Sequence, residues 1–96
     1  MTKPNRYVLG STVEIASEPE DTTGVFFVPQ ESRLSIEEPD GNIITVSGAG
    51  LTVASGFLYY LYKPELTGWV QYEYWHKEDV RESVETSGFE VYDRVF

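Results

Sequence analysis

The twenty residues from Gly56 to Trp75, GFLYYLYKPELTGWVQYEYW, constrain this chain most, because they hold eight of its fourteen aromatic residues. Phe57, Tyr59, Tyr60 and Tyr62 fall in one run and Trp69, Tyr72, Tyr74 and Trp75 in a second, with Pro64 and Gly68 between them. Aromatic residues in short runs bounded by Pro and Gly fit strands better than helices, so two adjacent β-strands at the centre of a small core are predicted. The Pro64-to-Gly68 connection is too short for a helical crossover. The strands are therefore antiparallel neighbours or pass from one sheet to another. Alternation sets Leu58, Tyr60 and Tyr62 against Phe57, Tyr59 and Leu61, and Val70, Tyr72 and Tyr74 against Trp69, Gln71, Glu73 and Trp75.

The rest of the chain has the same character. No window carries apolar residues at helical spacing with a cap and more than two turns of room. Val13 and Ile15 alternate with polar neighbours, as do Leu34 and Ile36. Glu38-Pro39-Asp40-Gly41-Asn42 sets Pro at the first central position of a type I turn and Gly where a positive φ is needed, which predicts a hairpin into Ile43-Ile44-Thr45-Val46. Ser47-Gly48-Ala49-Gly50 punctuates again before Leu51-Thr52-Val53, and Ser83-Val84-Glu85 and Gly88-Phe89-Glu90-Val91 close the chain. About seven short strands with turn residues between them outline an all-β fold, a single antiparallel β-sandwich, with a small SH3-like or OB barrel as the alternative. Val13, Ile15, Leu34, Ile36, Val70, Tyr72, Phe89 and Val91 are its predicted core.

Ninety-six residues fit one domain spanning 1–96, with 1–7 read as a flexible N-terminal arm. The chain has no cysteine, so the core must hold the fold without disulfides or zinc-thiolate sites. The N-terminus has no apolar stretch of signal-peptide length and no run suits a membrane span, which predicts a chain made in the cytoplasm. The net charge is −9, with eight acids between Glu14 and Asp40 against Arg33 alone. A field of that sign repels phosphate and anionic lipid, which argues against nucleic acid and membrane as partners.

In order, the motifs are Gly24 before Val25-Phe26-Phe27-Val28-Pro29, Leu34-Ser35-Ile36 before Pro39-Asp40-Gly41, Gly56 leading into Tyr60-Leu61-Tyr62 with Pro64, Gly68-Trp69-Val70-Gln71-Tyr72, and Gly88-Phe89-Glu90-Val91. This layout, running from about Val13 to Val91, resembles the Ig-like modules, fibronectin III-like or macroglobulin-like, of tailed-bacteriophage virion proteins and surface proteins. Position 58 is Leu where such modules would have Tyr, and the cysteine pair of antibody domains is absent. The resemblance implies an Ig-like sandwich with a structural or adhesive role in a virion, at the neck (the head–tail connection), the tail or the baseplate.

Residues that would carry chemistry are sparse. The single histidine, His76, precedes Lys77-Glu78-Asp79 and reads as a solvated loop residue. No Gly-x-Ser-x-Gly elbow, HExxH, P-loop or GxGxxG occurs, so no enzyme, no catalytic residue and no cofactor are expected. Glu18, Glu20 and Asp21 in one loop and Glu37, Glu38 and Asp40 in another read as solvated acidic loops rather than as calcium ligands. The sharper signal is that Phe57 to Tyr62 is apolar on both faces. The second face is covered within the chain, by Phe26-Phe27, the tail through Phe96 or an Asp79-to-Ser87 loop, or else it meets a partner. Phe57, Tyr59, Trp69 and Trp75 are the candidate interface residues. The expected role is non-enzymatic assembly, with the chain's own copies in a ring-like homo-oligomer or with neighbouring virion proteins. A carbohydrate-binding or adhesive module, with coplanar aromatics as its platform, is the alternative.

Overall fold

The computed structural model describes residues 6–19, 29–54, 57–79 and 81–93. Eight strands follow in order: β1 (Arg6–Val8), β2 (Val13–Ser17), β3 (Glu31–Glu37), β4 (Ile43–Ser47), β5 (Thr52–Ala54), β6 (Phe57–Tyr62), β7 (Gly68–Glu78) and β8 (Arg81–Tyr92). A single 3-10 turn at Gly48–Gly50 is the only helical element among the described residues. The predicted segment Gly24–Val28, and Phe96, lie outside them.

The strands form two sheets, ordered β1-β8-β7-β3-β4 and β2-β6-β5. The all-β sandwich expected from the alternation is therefore the fold. The described residues hold eight strands where about seven were expected. β1 pairs with β8 in parallel, Tyr7 opposite Val91, so Arg6 and Tyr7 of the expected arm belong to a sheet. The Tyr7 ring meets Phe89 edge-on at 5.3 Å, which gives that short strand an apolar anchor.

Period-two alternation accounts for the core. Val13 and Ile15 of β2, Leu58 and Tyr62 of β6, Leu34 and Ile36 of β3, Val70 and Tyr74 of β7 and Phe89 and Val91 of β8 meet between the sheets, joined by Leu51. Seven of the eight predicted core residues are buried; Tyr72 is half-buried and packs on the cluster from its margin. A three-stranded sheet cannot cover the whole inner face of a five-stranded one, and Ile44 and Val46 of β4 are half-buried as well.

Turns place the strands. Gly41 has φ 89° and its N–H donates to the Glu38 carbonyl at 2.9 Å, while Glu38 N–H donates to the Asn42 carbonyl at 2.8 Å. The hairpin is therefore the turn predicted from Pro39-Asp40-Gly41. Between β6 and β7 the chain passes from one sheet to the other, through the buried Pro64. The expected Asp79-to-Ser87 loop does not exist. Glu78 pairs with Arg81, and β7 and β8 make one long hairpin whose turn sets Asp79 at φ 52°. An aspartate tolerates that conformation better than most side chains, so the turn lacks the glycine that would have announced it.

Candidate interaction surfaces and a buried polar bridge

The four candidate interface residues divide between the two outer faces of the sandwich. Phe57 and Tyr59 alternate outward from β6, the middle strand of the smaller sheet, and pack on each other at 5.8 Å with ring planes inclined by 39°. Tyr59 is flanked by Ala16 of β2 and Thr52 of β5, small neighbours that leave it half-buried without covering it. Leu61, next along that face, is 57% exposed. Phe26-Phe27 and Phe96, two of the three covers considered for this face, fall outside the described residues. The third, the Asp79–Ser87 stretch, is built into the opposite sheet.

Trp69 and Trp75 project from the outer face of β7 in the larger sheet, six residues or about 20 Å apart along the strand. Each is held in a defined pose. A Cβ at Gly88 would lie 2.6 Å from the Trp69 ring and 2.7 Å from the Val70 carbonyl oxygen, so glycine on β8 is what lets that indole lie across its neighbour strand. Trp69 remains 54% exposed. Trp75 Nε1 donates to Glu82 Oε1 at 2.8 Å, and the Arg33 guanidinium sits 5.1 Å from the centre of its ring. Val84 pairs with Trp75 and Ile43 lies on the β4 edge of the same face, both well exposed. A shallow concavity lined by Ser35, Glu37, Ile43, Gln71, Glu73 and Thr86 occupies the middle of the face. Sequence alternation located this face; that the two aromatic pairs sit on opposite sides followed only from the sheet to which each strand belongs.

His76 corrects the sequence reading. It is fully buried in β7, stacked on Tyr74 at 5.4 Å, and hydrogen-bonded on both ring nitrogens. Ser17 Oγ of β2 lies 2.9 Å from Nε2, and Ser32 Oγ of β3 lies 2.9 Å from Nδ1. Ser17 Oγ also donates to Glu85 Oε2 of β8 at 2.7 Å. A hydroxyl has one proton, and an ionised carboxylate only accepts. Ser17 therefore accepts from His76 Nε2–H, and Ser32 donates to the bare Nδ1, so the protons run in one direction from Ser32 through His76 and Ser17 to Glu85. In a nucleophilic triad the acid orients the histidine and the histidine takes the serine proton. Here the serine stands between the other two and Nε2 already carries a proton, so this arrangement cross-links two sheets and does not activate Ser17. Burial pushes the His76 pKa below its ordinary value. Beside it, the buried Tyr74 hydroxyl donates to the Ile15 carbonyl, and burial raises its pKa.

The acidic turn is also committed. Glu38 accepts from the Tyr62 hydroxyl at 2.6 Å and from Asn42 Nδ2 at 2.9 Å, while Asp40 Oδ1 accepts from Asn42 N–H at 3.0 Å. Burial first, and the Glu38 hydrogen bond second, raise the Tyr62 pKa. Glu20 and Asp21 lie outside the described residues, and among those residues no three His, Asp or Glu side chains group as metal ligands do. Neither a protein-family model, nor a curated protein, nor a solved structure matches this chain.

Proposed function

We propose that this chain is a non-enzymatic structural component of a tailed-phage particle, placed at the neck, tail or baseplate and acting through contacts with neighbouring virion proteins or with its own copies. The phage assignment rests on the order of turn and packing motifs from Val13 to Val91. The assembly role rests on the outer face of the larger sheet, where Trp69, Trp75, Val84 and Ile43 stand on a rigid five-stranded scaffold. Indoles already fixed by Gly88, Glu82 and Arg33 lose little further freedom on docking, which suits them as anchors. An acidic body of net charge −9 also suits a ring lining past which DNA must slide.

The glycan-binding alternative has less support. Its platform needs coplanar exposed rings, whereas Phe57 and Tyr59 are mutually inclined and Trp69 and Trp75 are far apart. Light scattering coupled to size-exclusion chromatography, on the chain alone and mixed with virion proteins encoded beside it, tests the proposal. A Trp69→Ala, Trp75→Ala double variant is expected to stay folded and to lose about 2 kcal/mol or more of binding. A folded double variant that assembles as well as wild type, or a wild type that binds glycans and no protein, refutes it.

A further inference from the structure

Two sheets have four edges, and among the described residues they are not equally protected. β1 and β5 have three residues each, and β1 begins with Arg6. β2 carries Glu14 and runs out into Glu18-Pro19. β4 differs from all three: Ile43-Ile44-Thr45-Val46-Ser47 is five residues long, without charge, proline or glycine, and among the described residues pairs only with β3. Edge strands are normally blunted by charge, proline, bulges or shortness, because their open backbone groups template another strand. None of these devices is present on β4.

We propose that β4 pairs with β4 of a second copy of this chain, antiparallel about a two-fold axis normal to the sheet at Thr45. The proposal rests on the assembly reading and names one partner for it. With Thr45 opposite its mate, Ile43 faces Ser47 and Ile44 faces Val46 of the second copy, so all five residues of each strand are paired. A two-fold normal to the sheet keeps inner face beside inner face. The half-buried Ile44 and Val46, which the smaller sheet leaves partly uncovered, then gain apolar cross-strand partners.

Strand length selects this register, because a slip of two residues in either direction leaves three of the five residues paired. Across β3, Glu37 lies in the row of Ile43 and Arg33 in the row of Ser47. The two-fold at Thr45 therefore places Glu37 of one copy in the same cross-strand row as Arg33 of the other, at both ends of the pairing. Only a slip of four residues would align like charges, Glu37 with Glu37 in one direction and Arg33 with Arg33 in the other. Repulsion between two bodies of charge −9 opposes association at low salt and is screened beyond about 8 Å at physiological ionic strength.

Position 45 tests both pairing and register, since Thr45 is exposed and lies opposite itself. Sedimentation velocity on the full chain at rising concentration is expected to show a shift from 10.9 kDa to twice that mass. Thr45→Glu and Thr45→Lys, each setting like charges face to face, are each expected to weaken the dimer by roughly tenfold with an unchanged melting temperature. Mixing the two variants should restore it, which a merely structural effect of either substitution would not do. A wild type that stays monomeric overturns the pairing while leaving assembly with other virion proteins to the indole variants above. A dimer insensitive to Thr45→Glu, or a mixture that fails to re-form it, also overturns the pairing.

Discussion

Acid should loosen the sandwich through His76. In the folded chain the imidazole is neutral, fully buried, and held by Ser17 and Ser32. Protonation would give Nδ1 a proton pointed at a hydroxyl that already donates to it, and would set a charge where burial disfavours one. The folded pKa is therefore depressed below the unfolded value of about 6.5. Between those two values the unfolded chain binds more protons than the folded one, so this contribution to stability is fully present above pH ~6.5 and falls as pH drops. For one proton the limiting slope is about 1.4 kcal/mol per pH unit, continuing down to the folded pKa.

One other effect overlaps with that slope, because the net charge of −9 shrinks as carboxylates protonate and self-repulsion is relieved. It is common to wild type and to a His76→Gln variant, which cannot titrate at that position. Urea unfolding of the two proteins side by side from pH 8 to pH 5 is the assay. The stability difference, wild type minus variant, should be constant above pH ~7 and decline below pH ~6.5 with a slope approaching 1.4 kcal/mol per unit. A difference that stays flat to pH 5, or that grows on acidification, would refute the buried neutral histidine.

Three further outcomes are expected. Gly41→Val should lower stability by roughly 1–3 kcal/mol, since φ 89° strains a β-branched residue, and an unchanged melting temperature would contradict the hairpin geometry. Gly88→Val should displace the Trp69 indole and red-shift tryptophan emission, because its Cβ would meet that ring at 2.6 Å; an unshifted spectrum with normal stability would place Trp69 elsewhere. Ile36→Ala, at a fully buried site between Ile44 and Tyr72, should cost on the order of 2–5 kcal/mol by chemical denaturation, and a loss near zero would remove it from the core.

Local physics was legible in the sequence. The inward positions of Val13, Ile15, Leu34 and Ile36 follow from a period of two, and the Pro39-Asp40-Gly41 hairpin from φ values that Pro and Gly impose within a few residues. The outward direction of Trp69 and Trp75 followed from the same alternation. Which sheet each strand joins did not, and that choice separates Phe57 and Tyr59 from the two indoles by the thickness of the sandwich. The β7–β8 turn was hidden because Asp79 adopts a positive φ without a glycine to signal it. His76 shows the limit most plainly. Its neighbours Trp75, Lys77, Glu78 and Asp79 describe a solvated loop, while its partners Ser17 and Ser32 stand 59 and 44 residues away in the chain. Burial of a polar side chain depends on hydrogen bonds that only the folded arrangement supplies, whereas strand alternation and turn dihedrals are properties of neighbouring residues and survive in the sequence alone.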